Sequence, residues 1–143
     1  HDGSFGSLHA NTAQETVTRM INPPMSVPPI MLTGLDLIII QARLHVNGRT
    51  ARKITEVAEV AGMEGDKPRL NAIWKYDAAR DEIVETGIPS QFRETICNAA
   101  GVTPEVFEQH VQQRMAILAD LQRRDIRDIQ TVTSIVQNFY ATR

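Results

Sequence analysis

The apolar positions near the start of the chain recur at helical spacing. One helical face is shared by Ala13, Val17, Met20 and Ile21. Thr12 stands before this run and Glu15 follows three residues later, which forms a capping box in which each side chain accepts from the other residue's backbone N–H. The pattern therefore predicts a helix that begins after Thr12. Residues 5–8 predict a short strand that leads into His9.

The pattern changes to that of β-strands after Leu35. The segment LDLIIIQARLHV is nearly continuous in apolar residues in its first half, as a buried strand is. Asn47 and Gly48 then give a strong hairpin signal, because a type I′ turn needs positive φ at both central positions. Three more strands follow in RTARKITEVAEVAGM, PRLNAIWKY and DEIVET, the last two separated by a turn at residues 77–80. Sequential strands joined by short turns predict an antiparallel β-meander.

Prolines divide the first helix from the strands. The segment NPPMSVPPIMLTG contains four prolines, which prevent a regular element over most of its length. A short helix is expected to begin near Pro28 and end at Gly34.

The last third of the chain predicts three helices. The first begins near Ser90 and stops at Gly101, the second has Thr103 as N-cap with Pro104 at its first position, and the third begins at Asp128. Each carries an apolar stripe, which comprises Phe92, Ile96, Ala99 and Ala100 in the first, Phe107, Val111, Leu118 and Leu121 in the second, and Val132, Ile135, Val136, Phe139 and Tyr140 in the third. We expect these helices to form a bundle over residues 89–143, after a first domain over residues 1–88.

Composition and charge exclude several classes of protein. Hydrophobic residues make up 42% and charged residues 22% of the 143 positions, which argues against a disordered or fibrous chain. The formal charge of −2 predicts no nucleic-acid partner. Local basic runs occur at Arg49, Arg52 and Lys53 and at Arg114, Arg123, Arg124 and Arg127, and we interpret them as solvated faces. Cys97 is the single cysteine and predicts a buried thiol. The longest apolar run falls short of the roughly 20 residues of a membrane helix, so a soluble cytoplasmic protein is expected.

Motifs for catalysis are few. No GxSxG, CxxC or GxxxxGK[ST] motif is present, and His1, His9, His45 and His110 lack metal-ligand spacing, so no metal site is predicted. A strand that leads into a helix N-terminus favours bound phosphate, because unpaired N–H groups point there. By residue types alone, the chain indicates a domain with a weak anion-site signal at its front, where His9 by itself is an ordinary polar residue.

The opening segment HDGSFGSLHANTAQETVTRM resembles the histidine box of the secretion and pilus motor ATPases, which serve type II and type IV secretion, type IV pili and the archaellum. The matching positions are His1, Gly3, Ser4, Leu8, His9, Ala10, Asn11 and Arg19. The resemblance continues through LDLIIIQARL, with Gln41 and Arg43, and through ITEVAEVAGMEGD. The segments IWKYDAARDEI and RDIRDIQTVTSIVQNFY are similar to archaeal members.

The resemblance implies a fold and a function. The chain would be α/β, the C-terminal half of a RecA-like P-loop NTPase core, with the meander and helical bundle as its visible parts. The parent would be a cytoplasmic ATPase that uses ATP and Mg²⁺, whose phosphate-binding loop and Walker B strand lie outside this chain. The resemblance implies catalytic roles for His9, as γ-phosphate sensor, and for His1. It implies phosphate or subunit contacts for Arg19 and Arg43, and for each arginine the alternative is a salt bridge on a solvated face.

The same resemblance implies partners. The parent would form a hexameric ring and would pass motion to a membrane platform protein, which would hold it at the inner face of the membrane. The chain alone would neither bind ATP well nor hydrolyse it, since the phosphate-binding loop supplies most of the grip. The alternative function is a non-enzymatic adaptor that binds a partner protein through an apolar helix face.

Overall fold

A computed structural model describes residue 3 and residues 5–46 and 48–141. The helices are α1 (Ala13–Ile21), α2 (Gln91–Ala100), α3 (Pro104–Arg123) and α4 (Ile129–Ala141), with a 3-10 helix at Pro29–Gly34. The strands are β1 (Leu37–Val46), β2 (Arg49–Glu64), β3 (Lys67–Asp77) and β4 (Glu82–Glu85). Two compact units result, the first ending at Glu94 and the second beginning at Thr95, within α2.

The four strands form one sheet in the order β1-β2-β3-β4, and every neighbouring pair is antiparallel. Val46 pairs with Arg49, so a two-residue turn closes the first hairpin. Gly48 has φ +72°, as the Asn-Gly signal predicts, while Asn47 lies outside the described residues. The antiparallel order thus follows from strands that are adjacent in the sequence.

The assignment to a RecA-like α/β core is wrong. Such a core needs parallel strands joined by crossover helices, and each crossover takes a dozen or more residues. Here turns of a few residues join β1 to β4, and within the described ranges no two strands run parallel. The described residues form a four-stranded antiparallel sheet accompanied by helices.

The core of the first unit lies on one face of the sheet. Its buried members come from α1, the 3-10 helix, β1 and β2, and they are Ala13, Val17, Leu32, Ile38, Ile40 and Ala58. Burial of a Leu or Ile side chain contributes about 1.5–3 kcal/mol, so this cluster fixes α1 and the 3-10 helix against β1. The predicted apolar face of α1 is therefore confirmed.

The predicted strand over residues 5–8 is wrong. Residues 5–10 form no helix or strand, and Phe5 is fully exposed. A strand is stabilised by a hydrogen-bonded neighbour, and no strand of the described sheet pairs with this segment.

The helix starts predicted in the last third are confirmed. Ser90 Oγ accepts the N–H of Arg93 at the start of α2, Thr103 Oγ1 accepts that of Val106 at the start of α3, and Asp128 Oδ1 accepts that of Thr131 at the start of α4. Each bond satisfies a backbone donor that the helix itself leaves unpaired.

The second unit buries fewer apolar side chains than the predicted bundle would. Leu121 of α3 is 6% exposed, but Leu118 on the same predicted stripe is 63% exposed. No residue of α4 is buried in the described range. The guanidinium of Arg114 lies 5.7 Å from the ring centroids of Phe139 and Tyr140, so a cation–π contact supplements the modest apolar packing. No helix of the described part of the chain combines the length and the hydropathy needed to cross a membrane.

Candidate functional site

The N-terminus of α1 carries a capping arrangement close to the predicted one. The N–H of Glu15 donates to Thr12 Oγ1 at 3.0 Å, as the capping box requires. The Glu15 carboxylate, however, accepts from the backbone N–H of Asn11 at 2.8 Å rather than from Thr12. The reciprocal bond is therefore displaced by one residue, to the matched Asn of the histidine-box segment.

Glu56 of β2 supplies a second carboxylate to the same helix end. Its Oε2 accepts from the backbone N–H of Ala13, the first residue of α1, at 2.8 Å. A carboxylate at this position satisfies an unpaired donor and is favoured by the helix dipole. The helix end that the sequence marked as a phosphate site is thus partly filled by the protein's own carboxylates.

His9 lies on the irregular segment that leads into α1, and its side chain is exposed. The flanking residues Leu8 and Ala10 line a groove of about 570 Å³, whose other lining residues lie mainly on α1 and β1. The backbone therefore turns its two neighbours toward the groove while His9 stays accessible. His1 lies outside the described residues.

Arg19 is held by an ion pair. Its Nε and Nη2 atoms contact Glu15 Oε1 at 2.8 and 2.6 Å, one helical turn away on α1. The N–H of Asn11 and then the Arg19 guanidinium lower the pKa of the Glu15 carboxyl. The side chains of Arg19 and Glu15 are 53% and 30% exposed, so the pair is a surface feature of modest energy.

Arg43 lies on the other side of the sheet from α1. Ile38 and Ile40 of β1 face the core with Ala13 and Val17, and alternate residues of a strand face opposite sides. Arg43 therefore points outward, and its side chain is exposed. The structure places Arg19 and Arg43 on different sides of the sheet and does not bring them together.

Glu59 of β2 caps a second helix. Its Oε1 accepts from the hydroxyl of Ser90 and, at 3.3 Å, from the N–H of Phe92, while its Oε2 accepts from the N–H of Gln91 at 2.9 Å. The residue is only 2% exposed. Burial of a carboxylate is costly unless donors surround it, and here the first turn of α2 provides them.

Sequence reasoning did not find the roles of Glu56 and Glu59. Both lie three residues apart in ITEVAEVAGMEGD, and each has small or apolar residues on at least one side within a strand. A glutamate inside a strand that is otherwise apolar is a usable signal, since a buried carboxylate needs a partner. Which helix provides the partner depends on long-range packing.

Side chains that could bind a metal ion are not clustered in the described part of the chain. Over the described residues, no three His, Cys, Asp or Glu side chains are grouped so that they could hold a metal ion. Cys97 is 4% exposed, which confirms the buried thiol.

Two relatives come from the archaeon Methanocaldococcus jannaschii. The uncharacterized protein MJ0781 is 34% identical over 136 residues, which cover 94% of this chain but 19% of the relative. The uncharacterized protein MJ1287 is 25% identical over 122 residues, which cover 82% of this chain and 44% of the relative. No protein-family model matches the chain. The chain therefore spans less than half the length of either relative.

Proposed function

We propose that this chain is part of a longer cytoplasmic ATPase that couples ATP hydrolysis to protein secretion or to the assembly of pilus-like filaments, the archaellum included. The proposal is supported by the histidine-box resemblance, whose residues include His9, Asn11 and Arg19. It is also supported by the length of the two archaeal relatives, in which the matched region is a minor part. The phosphate-binding loop, the Walker B strand and the site for Mg²⁺ would lie outside the 143 residues.

The accessibility of His9 is the observation that carries the proposal. An exposed imidazole beside a groove can donate a hydrogen bond to a phosphate oxygen, directly or through a water molecule. Such a donor stabilises the charge that develops on the γ-phosphate during hydrolysis. Under this proposal His9 senses the γ-phosphate, and Asn11 and Glu15 hold the backbone that carries it.

The two arginines would serve different ends. Arg19 is already paired with Glu15 within α1, so its charge mainly supports the carboxylate that accepts from Asn11. Arg43 is exposed on the opposite side of the sheet and is the arginine available for a phosphate or for a neighbouring subunit. The proposed parent is a hexameric ring that acts on a membrane platform protein at the inner face of the membrane.

The proposal is tested by ATP turnover of the full-length protein and of its His9→Ala variant. Loss of one preorganised donor to the transition state costs about 10²–10³-fold in turnover, and we expect a loss of that order. His110→Ala is the matched control, because it removes an imidazole from α3 in the other unit. The 143-residue chain alone should show no turnover. Parental turnover in the His9→Ala protein would contradict the role of His9.

The adaptor alternative is favoured by a different observation, the exposed apolar side chains of α3 and α4. Met115, Leu118, Ile129 and Tyr140 are each more than half exposed. The adaptor function requires that these side chains form one contiguous patch, the kind of surface that suits a partner protein. If the full-length protein neither binds nor hydrolyses ATP, the adaptor function replaces the ATPase.

A further inference from the structure

Two arginines stand directly opposite each other on the first hairpin. Arg43 of β1 pairs with Arg52 of β2 across the antiparallel ladder, and both side chains are exposed. Directly opposite residues project from the same face of a sheet with their Cβ atoms about 5 Å apart. The two guanidinium groups therefore share the outward face.

The surroundings do not neutralise these charges. The adjoining cross-strand pairs on this face are Gln41 with Ile54 and His45 with Thr50, and none of these four residues is acidic. Among the described residues, the side chains of Arg43 and Arg52 take part in no hydrogen bond or ion pair. Six other arginines do form ion pairs in the same range, namely Arg19, Arg80, Arg93, Arg123, Arg124 and Arg127.

This arrangement is unfavourable without a ligand. Like charges directly opposite on a sheet destabilise it, so this pair weakens the hairpin when no anion is bound. An anion between the two arginines would convert the repulsion into attraction. The planar guanidinium forks match the oxygen atoms of a phosphoryl group, and each can bind two of them at once.

We infer that the outward face of the β1–β2 hairpin binds a phosphoryl group between Arg43 and Arg52. Gln41 can donate its side-chain amide from one side. On the other side, His45 Nδ1 lies 3.3 Å from Thr50 Oγ1, which holds the imidazole next to the bound anion. The inference deepens the role of Arg43 in the proposed function, but its test requires no ATP turnover, so the two can fail separately.

The test is a titration of the 143-residue chain with pyrophosphate, ATP and adenosine in separate experiments. Binding is monitored through the NMR signals of the hairpin amides and of the arginine Nε–H groups. We expect pyrophosphate and ATP to shift the signals of Arg43 and Arg52, and adenosine to leave them unchanged. Similar affinity for both phosphates identifies the phosphoryl group itself as the ligand, and much tighter binding of ATP identifies a nucleotide site built on the same pair. Binding of adenosine alone would overturn the inference.

Matched variants separate a specific site from general attraction. Arg43→Gln and Arg52→Gln should each weaken pyrophosphate binding about tenfold or more, as expected for loss of a charge-assisted contact. Arg49→Gln is the control, because it removes the same charge from an exposed position at the end of the same hairpin. The affinity of this variant for pyrophosphate should change less than about threefold, since an exposed charge outside the site contributes only weakly. An equal loss in all three variants would show diffuse electrostatic binding and would reject the site.

A stability measurement gives a second, independent readout. Arg43→Gln should raise the midpoint of thermal unfolding in phosphate-free buffer, because it removes the like-charge pair, and pyrophosphate should stabilise the parent chain more than the variant. A lowered midpoint in the variant without ligand would contradict the repulsion on which the inference rests. Competition by a glutamate-rich peptide at the affinity of pyrophosphate would also overturn it, since the pair would then bind an acidic protein surface.

Discussion

Glu59 accepts a 2.9 Å hydrogen bond from the backbone N–H of Gln91, so a strand carboxylate holds the first residue of α2. Loss of this buried acceptor leaves several donors of the helix end unpaired. We expect Glu59→Ala to lower the free energy of unfolding by about 3 kcal/mol, measured by urea denaturation. Glu64→Ala, which changes the exposed glutamate at the last position of β2, is the control and should cost less than about 0.5 kcal/mol.

Substitution of Glu56 should also destabilise the fold, but less than substitution of Glu59. It accepts one N–H bond, from Ala13, and it is only partly buried. We expect Glu56→Ala to cost about 1 kcal/mol, the usual value of a helix cap, with faster amide hydrogen exchange at Ala13 than in the parent chain. An unchanged exchange rate at Ala13 would show that this carboxylate does not cap α1 in solution.

The ion pair between Lys53 and Asp81 predicts a dependence of stability on pH. Lys53 Nζ and the Tyr76 hydroxyl each lie 2.5 Å from Asp81 Oδ1, and these donors lower the pKa of Asp81 from 3.8. A carboxyl with a lowered pKa stabilises the folded state above pH 3.8, and this contribution is lost as the pH falls through the folded-state pKa. We therefore expect Lys53→Gln to reduce the dependence of stability on pH below 3.8. Parallel stability curves for parent and variant between pH 2 and 5 would exclude this contribution.

The contacts among Lys53, Tyr76 and Asp81 also make stability depend on alkaline pH. The hydrogen bond to Asp81 raises the pKa of Tyr76 above 10.0, so the neutral phenol stabilises the fold up to that pH. Stability should fall as the pH rises through the raised pKa. Tyr76→Phe removes this alkaline loss, which a comparison of thermal unfolding at pH 9 and pH 11 would detect.

Two leucines of α3 offer a matched comparison of burial. Leu121 is 6% exposed and Leu118 is 63% exposed. We expect Leu121→Ala to cost about 2–4 kcal/mol and Leu118→Ala less than about 1 kcal/mol, because only the first opens a cavity. Equal costs would mean that Leu118 is covered in solution, as by association of chains, which sedimentation at several protein concentrations would reveal.

The features that the sequence predicted well are those set by neighbouring residues. Thr12, Thr103 and Asp128 cap their helices because, at a helix start, the N-cap side-chain oxygen lies close to the backbone N–H three residues later. The turn at Gly48 follows from its φ of +72°, which a glycine adopts without strain.

The features that were missed depend on distant parts of the chain. Residues 5–8 have a strand-like sequence, but the described sheet offers them no paired neighbour. Leu118 and Leu121 belong to the same periodic stripe, and only the position of the other helices decides which is covered. The α/β assignment failed similarly, because it came from the resemblance and not from the connections between the strands, which are too short for crossover helices.

The positions of Glu56 and Glu59 on β2 limit where this strand can tolerate an insertion. One strand holds the first turns of two helices through carboxylates three residues apart. A slip of β2 by a single residue would turn both carboxylates to the wrong face and release both helix ends together. The helices thus lock the register of the sheet, and an insertion inside β2 should be far more damaging than one at the turn of Gly65 and Asp66.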